Sequence, residues 1–260
     1  MAYETILVNE QAKLMTITLN RVADGNSVNV RLLQEMNLAL DHAESQPEVR
    51  IVVLAGSAGT FSSGMDLSEL SRSDCHASNS ITEAATLYFR TLQRFTSTGK
   101  LIVSNVDGRA NAAGVGLVAA SDFVIISARS TFSLSEALFG LIPANVVPFL
   151  IRRVGFQRAY LMALTAQQVD ARRAVEIGLA DEVTSDAEAA VRRLLIRIHR
   201  IRETTVRTTK SYFRQMCLLN EDTERLAVAQ ICELLRDNEN VAGIRRYVAH
   251  GTFPWQAGNL

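Results

Sequence analysis

The stretch LIVSNVDGRANAAGVGLVAASDFVIIS, residues 101–127, decides the fold class. Leu101 to Val106 reads as a strand. The small residues from Gly108 to Gly116 open a helix, and Asp122 to Ser127 returns as a second strand. Strand, helix, strand at this spacing predicts a crossover unit with parallel pairing. Upstream the same rhythm repeats. Arg50 to Ala55 holds the apolar run Ile51-Val52-Val53-Leu54, between helical patterns at Asn29–Glu44 and Thr82–Thr96. Two strand-like stretches, Tyr3–Asn9 and the alternating Lys13–Asn20, stand at the start, and Gly25-Asn26 marks a turn. The first half therefore reads as α/β with a largely parallel sheet.

Beyond Ser133 the pattern turns helical. Helices are predicted near 146–154, 157–164, 171–177, 186–201, 204–219, 221–237 and 241–250. The division expected is a core over residues 1–200 and a helical appendage over 201–260. The polar segment from Arg72 to Ser80 has no periodicity and is expected to be a mobile loop.

Composition narrows the function. The chain has 260 residues, 48% hydrophobic and 21% charged, which excludes disordered, collagenous and coiled-coil classes. Lys+Arg and Asp+Glu are 27 each, so the basic excess of a nucleic-acid binder is missing. No apolar run approaches the roughly 18–20 residues of a membrane span. Met1 to Leu7 lacks a signal-peptide pattern, which favours the cytoplasm. Cys75, Cys217 and Cys232 are too few for a disulfide framework and read as free thiols, two of them packed on helices. The four histidines show no ligand spacing, so no metal or other cofactor is expected.

Three segments can carry chemistry. In Phe61-Ser62-Ser63-Gly64-Met65-Asp66-Leu67 a glycine turn follows a buried strand and can expose the next amide N–H, or it is a plain turn. In Gly108–Gly116 small side chains open a helix whose N-terminus favours negative charge, or they serve tight packing alone. In Phe132–Pro143 one carboxylate, Glu136, stands in an apolar stretch. Burial would raise its pKa and suit it to acid/base work, while Ser133 and Ser135 beside it allow a capping role instead. Two amide donors and one carboxylate fit enolate chemistry at a thioester: the amides hold the carbonyl oxygen as it turns negative, and the carboxylate moves the α-proton.

Taken in order, these segments resemble the crotonase (enoyl-CoA hydratase/isomerase) superfamily over nearly the whole chain. Within it the likeness is to the dehydratase of polyketide β-branching cassettes, carried by Tyr3–Val8, Phe132–Glu136, Pro148–Arg153, Arg246–Val248 and Phe253–Trp255. The resemblance implies a ββα spiral core with a C-terminal helical region that closes the acyl pocket and builds a homo-trimer or hexamer. It implies backbone oxyanion donors at Met65 and Ala113, and Glu136 as acid/base. Relatives often have glycine at Ala113, and if the turn there needs φ > 0 its methyl costs of order 1 kcal/mol. Two-carboxylate hydratases carry a second Glu where this chain has Gly116. The implied reaction is dehydration of 3-hydroxy-3-methylglutaryl-ACP to 3-methylglutaconyl-ACP, with an acyl carrier protein (or CoA) thioester as partner. The alternatives are a Δ3,Δ2-enoyl-CoA isomerase or other acyl-CoA hydratase/isomerase, and, in another class, a non-catalytic acyl-thioester binding protein.

A glutaryl carboxylate needs a cation or several donors. Arg90, Arg94 and Lys100 are candidates, as against solvated surface charges, and Tyr88 is a pocket or core residue. Of the 27 basic residues 24 are Arg. The stripe Arg193, Arg197, Arg200 and the pairs Arg152-Arg153 and Arg245-Arg246 could dock an acidic carrier or a phosphate, or could simply be solvated faces.

Overall fold

A computed structural model describes residues 3–72, 78–217 and 219–259. The chain opens with a hairpin of β1 (Ile6–Gln11) and β2 (Leu14–Leu19). In β2 the alternation is complete: Met15, Ile17 and Leu19 are fully buried and the residues between them are not. Helix α1 (Val30–Ser45) follows, capped by Asn29, whose side chain accepts from the Leu32 N–H at 2.9 Å.

Three passes of one pattern come next. The first is β3 (Ile51–Gly56) and β4 (Thr60–Ser62), with helices α2 (Leu67–Arg72) and α3 (Ser78–Phe95). The second is β5 (Leu101–Val106), β6 (Arg109–Asn111) and α4 (Ala113–Ala120). The third is β7 (Phe123–Ile126) and β8 (Thr131–Ser133), a 3₁₀ turn over Glu136–Phe139, and helices α5 (Val147–Val154) and α6 (Phe156–Thr165). The long strand of each pass joins a six-stranded sheet ordered β1-β2-β3-β5-β7 and then the strand Glu182–Val183 (β10), parallel except for β1. The short strand joins a four-stranded sheet ordered β4-β6-β8 and then the strand Val169–Asp170 (β9). Strand β9 (Val169–Asp170), helix α7 (Ala171–Glu176), strand β10 (Glu182–Val183) and helices α8 (Ala187–Ile198), α9 (Glu203–Gln215), α10 (Glu221–Leu234) and α11 (Asn238–His250) complete the chain. This is the expected α/β architecture of ββα passes with a helical C-terminal region.

Both faces of the large sheet are covered, which explains why β3 is apolar without interruption. Val52 and Leu54 point into the main core with Leu33, Met36, Phe89 and Val118, while Ile51 and Val53 meet Ala190 and Val191 of α8. Each such side chain contributes about 1.5–3 kcal/mol by leaving water. Helix α10 packs on α3 and α11 on α2. The expected mobile segment 72–80 is mostly outside the described residues, as are Cys75 and His76; residues 78–80 form the first turn of α3. Cys232 is buried on α10, whereas Cys217 lies just past the end of α9 rather than on a helix. Among the described residues no helix is long and apolar enough to cross a membrane.

Candidate active site

The loop after β4 is held as a strand-like arm. Val28 N–H donates to the Gly64 carbonyl at 2.7 Å and Asp66 N–H donates to the Val28 carbonyl at 2.9 Å. Parallel bridging of this kind uses the groups on either side of Met65 and leaves its own N–H facing the other way. Gly64 makes the turn possible. Its φ is +109°, and an added Cβ would lie 2.8 Å from the Ala112 Cβ. The loop is anchored by Asp66, which pairs with Arg21 at 2.7 Å and caps α2 through the Ser68 and Glu69 N–H groups. Burial works to raise the Asp66 pKa, but these bonds and the Arg21 charge outweigh it and hold the carboxyl below its usual range.

The second loop begins where β6 runs into α4. Ala112 stands before the helix with φ +47° and ψ −117°, and the N–H groups of Ala113 and Gly114 have no partner among the described residues. The left-handed residue is therefore Ala112 and not Ala113, and the strain anticipated at Ala113 falls one residue earlier. Asn111 ties the pieces together. Its Nδ2 donates to the Ser63 carbonyl at 3.2 Å and to Ser135 Oγ at 2.9 Å, and its Oδ1 accepts from Ser133 Oγ at 2.8 Å. One side chain thus joins the Met65 loop, the Ala113 loop and the turn that carries Glu136.

Glu136 opens the 3₁₀ turn, and neither Ser133 nor Ser135 caps it; both hydroxyls are engaged with Asn111. Its Oε2 is buried without a hydrogen-bond partner among the described residues. Desolvation pushes its pKa up to about 7, outweighing the opposing effect of its own N–H. Met65, Ala113 and Glu136 line a single cavity of about 810 Å³ whose far wall is apolar: Leu138, Phe139, Ile231, Leu235, Tyr247 and Phe253. The place of a second carboxylate is filled. A Cβ at Gly116 would lie 2.0 Å from the Tyr88 hydroxyl, which donates to the Ala113 carbonyl at 2.6 Å. Burial, and then the nearby Glu136 charge, raise the Tyr88 pKa well above the ordinary value, so the phenol keeps its proton.

The enoyl-CoA hydratase/isomerase family profile matches residues 9–258. The chain belongs to the enoyl-CoA hydratase/isomerase family. It is an enzyme of the hydro-lyase kind. It is 33% identical over 255 residues to the bacillaene synthase dehydratase PksH of Bacillus subtilis (strain 168), covering 98% of this chain and 97% of the relative. It is 27% identical over 252 residues to the trans-2-decenoyl-[acyl-carrier-protein] isomerase of Streptococcus mutans, covering 95% and 96%. A crystal structure of the polyketide-biosynthesis enoyl-CoA hydratase PksH from Bacillus subtilis matches with a TM-score of 0.88 at 30% identity, covering 97% of this chain and 100% of that one.

In this hydratase/isomerase chain the cations singled out from sequence stand elsewhere. Arg90 pairs with Glu224 at 2.8 Å, and Arg94 with Asp41 at 2.6 Å and Glu44 at 3.0 Å. Lys100 is fully buried against Glu203 at 3.0 Å. Arg152 and Arg153 turn inward to the Ser121 carbonyl, which closes the end of α4, so this pair is no docking patch. Arg193 pairs with Glu182, and Arg245 donates to the Ser71 carbonyl. The cation that does line the cavity is Arg109. It shares a face of β6 with Asn111, two residues on, and has no ion-pair partner among the described residues. Sequence reading passed over Arg109 because it lay inside a segment read for its small residues, and a strand of three residues offers no periodicity that could have found it. Tyr88 is a wall residue of the cavity as well as part of the core. Among the described residues no group of three or more His, Cys, Asp or Glu could hold a metal ion.

Proposed function

We propose that this enzyme dehydrates 3-hydroxy-3-methylglutaryl-ACP to 3-methylglutaconyl-ACP in polyketide β-branching. The observation that carries the reading is a single carboxyl with a raised pKa, Glu136, on one cavity with two unspent amide N–H groups, Met65 and Ala113. The full-length likeness to a dehydratase of bacillaene synthesis supports the pathway and the carrier-bound substrate. In the proposed reaction Glu136 takes the proton from C2. The C–H pair moves into the thioester carbonyl, whose oxygen becomes an enolate bound by the two amides; one such donor is worth about 2.7–4 kcal/mol of barrier. The pair returns as the C2=C3 double bond while the C3–O bond breaks. The departing oxygen takes the proton held by Glu136 and leaves as water, and Glu136 returns to its carboxylate. Filling of the Gly116 position by Tyr88 fits a mechanism with one acid/base group.

Arg109 is the residue we assign to the distal carboxylate, as the one cation on the cavity wall among the described residues. We further propose that the protein works in the cytoplasm, and that residues 201–260 build a homo-trimer or a hexamer. The second reading is Δ3,Δ2-isomerisation of an enoyl thioester, which needs the same three groups and is favoured by the likeness to a decenoyl carrier-protein isomerase. A substrate panel decides. With 3-hydroxy-3-methylglutaryl-ACP, wild type should produce the mass loss of one water together with unsaturated-thioester absorbance. Activity on 3-enoyl thioesters alone would establish the isomerase, and binding with no turnover of either would leave an acyl-thioester binder.

A further inference from the structure

Two buried oxygens of cavity residues have no hydrogen-bond partner among the described residues. One is Glu136 Oε2 and the other is Asn145 Oδ1. The mechanism uses the first and not the second. Asn145 lies between the Glu136 turn and α5 and is 3% exposed. Its Nδ2 donates to the Ala85 carbonyl on α3 at 2.9 Å. A carbonyl only accepts, so this bond fixes which end of the amide is which and leaves Oδ1 as the free atom. Buried amide oxygens are rarely left unpaired, because desolvation without a donor is costly. Its neighbour Val146 and Tyr88 both crowd the space above Gly116, so this wall presents a phenol and an amide rather than a carboxylate.

We propose that Asn145 Oδ1 accepts a hydrogen bond from the β-hydroxyl of the substrate, making Asn145 a specificity residue that selects 3-hydroxyacyl over 3-enoyl thioesters. The inference rests on the dehydratase reading and deepens it. An enoyl chain has only C–H groups at C3 and C4 and offers this oxygen no donor. A hydroxyl has one donor and two lone pairs. Donation to Asn145 stops its rotation and leaves a lone pair to receive the proton from Glu136. An amide is not a base, so it holds the leaving group without competing for that proton.

The test uses two reactions of the intact enzyme. Dehydration of 3-hydroxy-3-methylglutaryl-ACP needs the hydroxyl held. Deuterium uptake from solvent at C2 of 3-methylglutaryl-ACP needs only Glu136 and the two amides. For Asn145→Ala, kcat/KM for dehydration should fall about tenfold or more, with exchange unchanged within about twofold. Retained dehydration overturns the proposal, and so does an equal fall in both reactions, which would mark a purely structural role. If the variant does not fold, wild type answers through inhibition by two unreactive thioether analogues, one with the 3-hydroxyl and one without. The hydroxyl should tighten binding about tenfold, and equal affinities overturn the proposal. Wild type that exchanges but never dehydrates sinks the dehydratase reading and this inference together; wild type that dehydrates as well as its Asn145 variant sinks this inference alone.

Discussion

Glu136 keeps its proton to about pH 7 because burial disfavours its charged form. Proton removal needs the carboxylate, so kcat/KM should rise with pH to a plateau, with a midpoint near 7; a midpoint near 4.5 in a pH–rate series would contradict this. The stability effect has the opposite sign. Between about pH 4.5 and 7 the native state holds a proton that the unfolded chain has lost, so this group makes stability fall as pH rises through that window. Gly116 is decided by close approach. Gly116→Ala should cost about 2 kcal/mol or more in chemical denaturation, because its methyl must displace the Tyr88 hydroxyl from the Ala113 carbonyl. In the double variant with Tyr88→Ala most of this cost should disappear, leaving only the 3.1 Å approach to Val146 Cγ2, and additive losses would contradict the contact. Met65, Ala113 and Glu136 could be proposed from sequence because each sits in a short contiguous segment that the family resemblance covers, and the structure places all three on one cavity. Asn145 and the filling of the Gly116 position could not, since the partners, Ala85 and Tyr88, lie on a helix remote in sequence.

At the scale of elements, the site exists because β4, β6 and β8 run side by side and end together. Asn111 at the end of β6 fixes the two loops and the Glu136 turn relative to one another. Asn111→Ala should therefore lower kcat by about tenfold to a hundredfold, since small misplacements of reacting groups are expensive, while urea denaturation shifts by no more than about 1–2 kcal/mol. A loss of stability with kcat intact would contradict this positioning role. The element order was legible because short apolar strand stretches, one of them alternating, are interleaved with helical periods. The short strands of the small sheet were not: Thr60–Ser62, Arg109–Asn111 and Thr131–Ser133 are three residues each and carry no periodicity. The four-stranded sheet is set by long-range pairing, and with it the placement of Arg109 and Asn111.

Across the whole molecule, the C-terminal region returns to the pocket it was expected to close. Tyr247 and Phe253 pack on Phe139 with ring centroids 5.1 and 5.6 Å away, and Asn240 donates to the Gly140 carbonyl just beyond the Glu136 turn. Elsewhere large apolar side chains stay exposed: Phe156, Tyr160 and Leu164 on α6, and Tyr212 and Phe213 on α9. If subunits cover such faces, light scattering at micromolar concentration should give three or six times 28.6 kDa, and a monomer would contradict the assembly proposed for residues 201–260. The cations resisted sequence reading at this scale, since whether an arginine faces a cavity or a carboxylate depends on distant packing: Arg94 meets α1, and Lys100 meets α9. The central claim is that one carboxylate carries the elimination. It is tested most directly by the mass of carrier-bound 3-hydroxy-3-methylglutaryl after incubation with wild type and with Glu136→Gln. Wild type should remove one water and the variant should leave the mass unchanged; loss of water at comparable rates in both would contradict a role for Glu136 in the elimination.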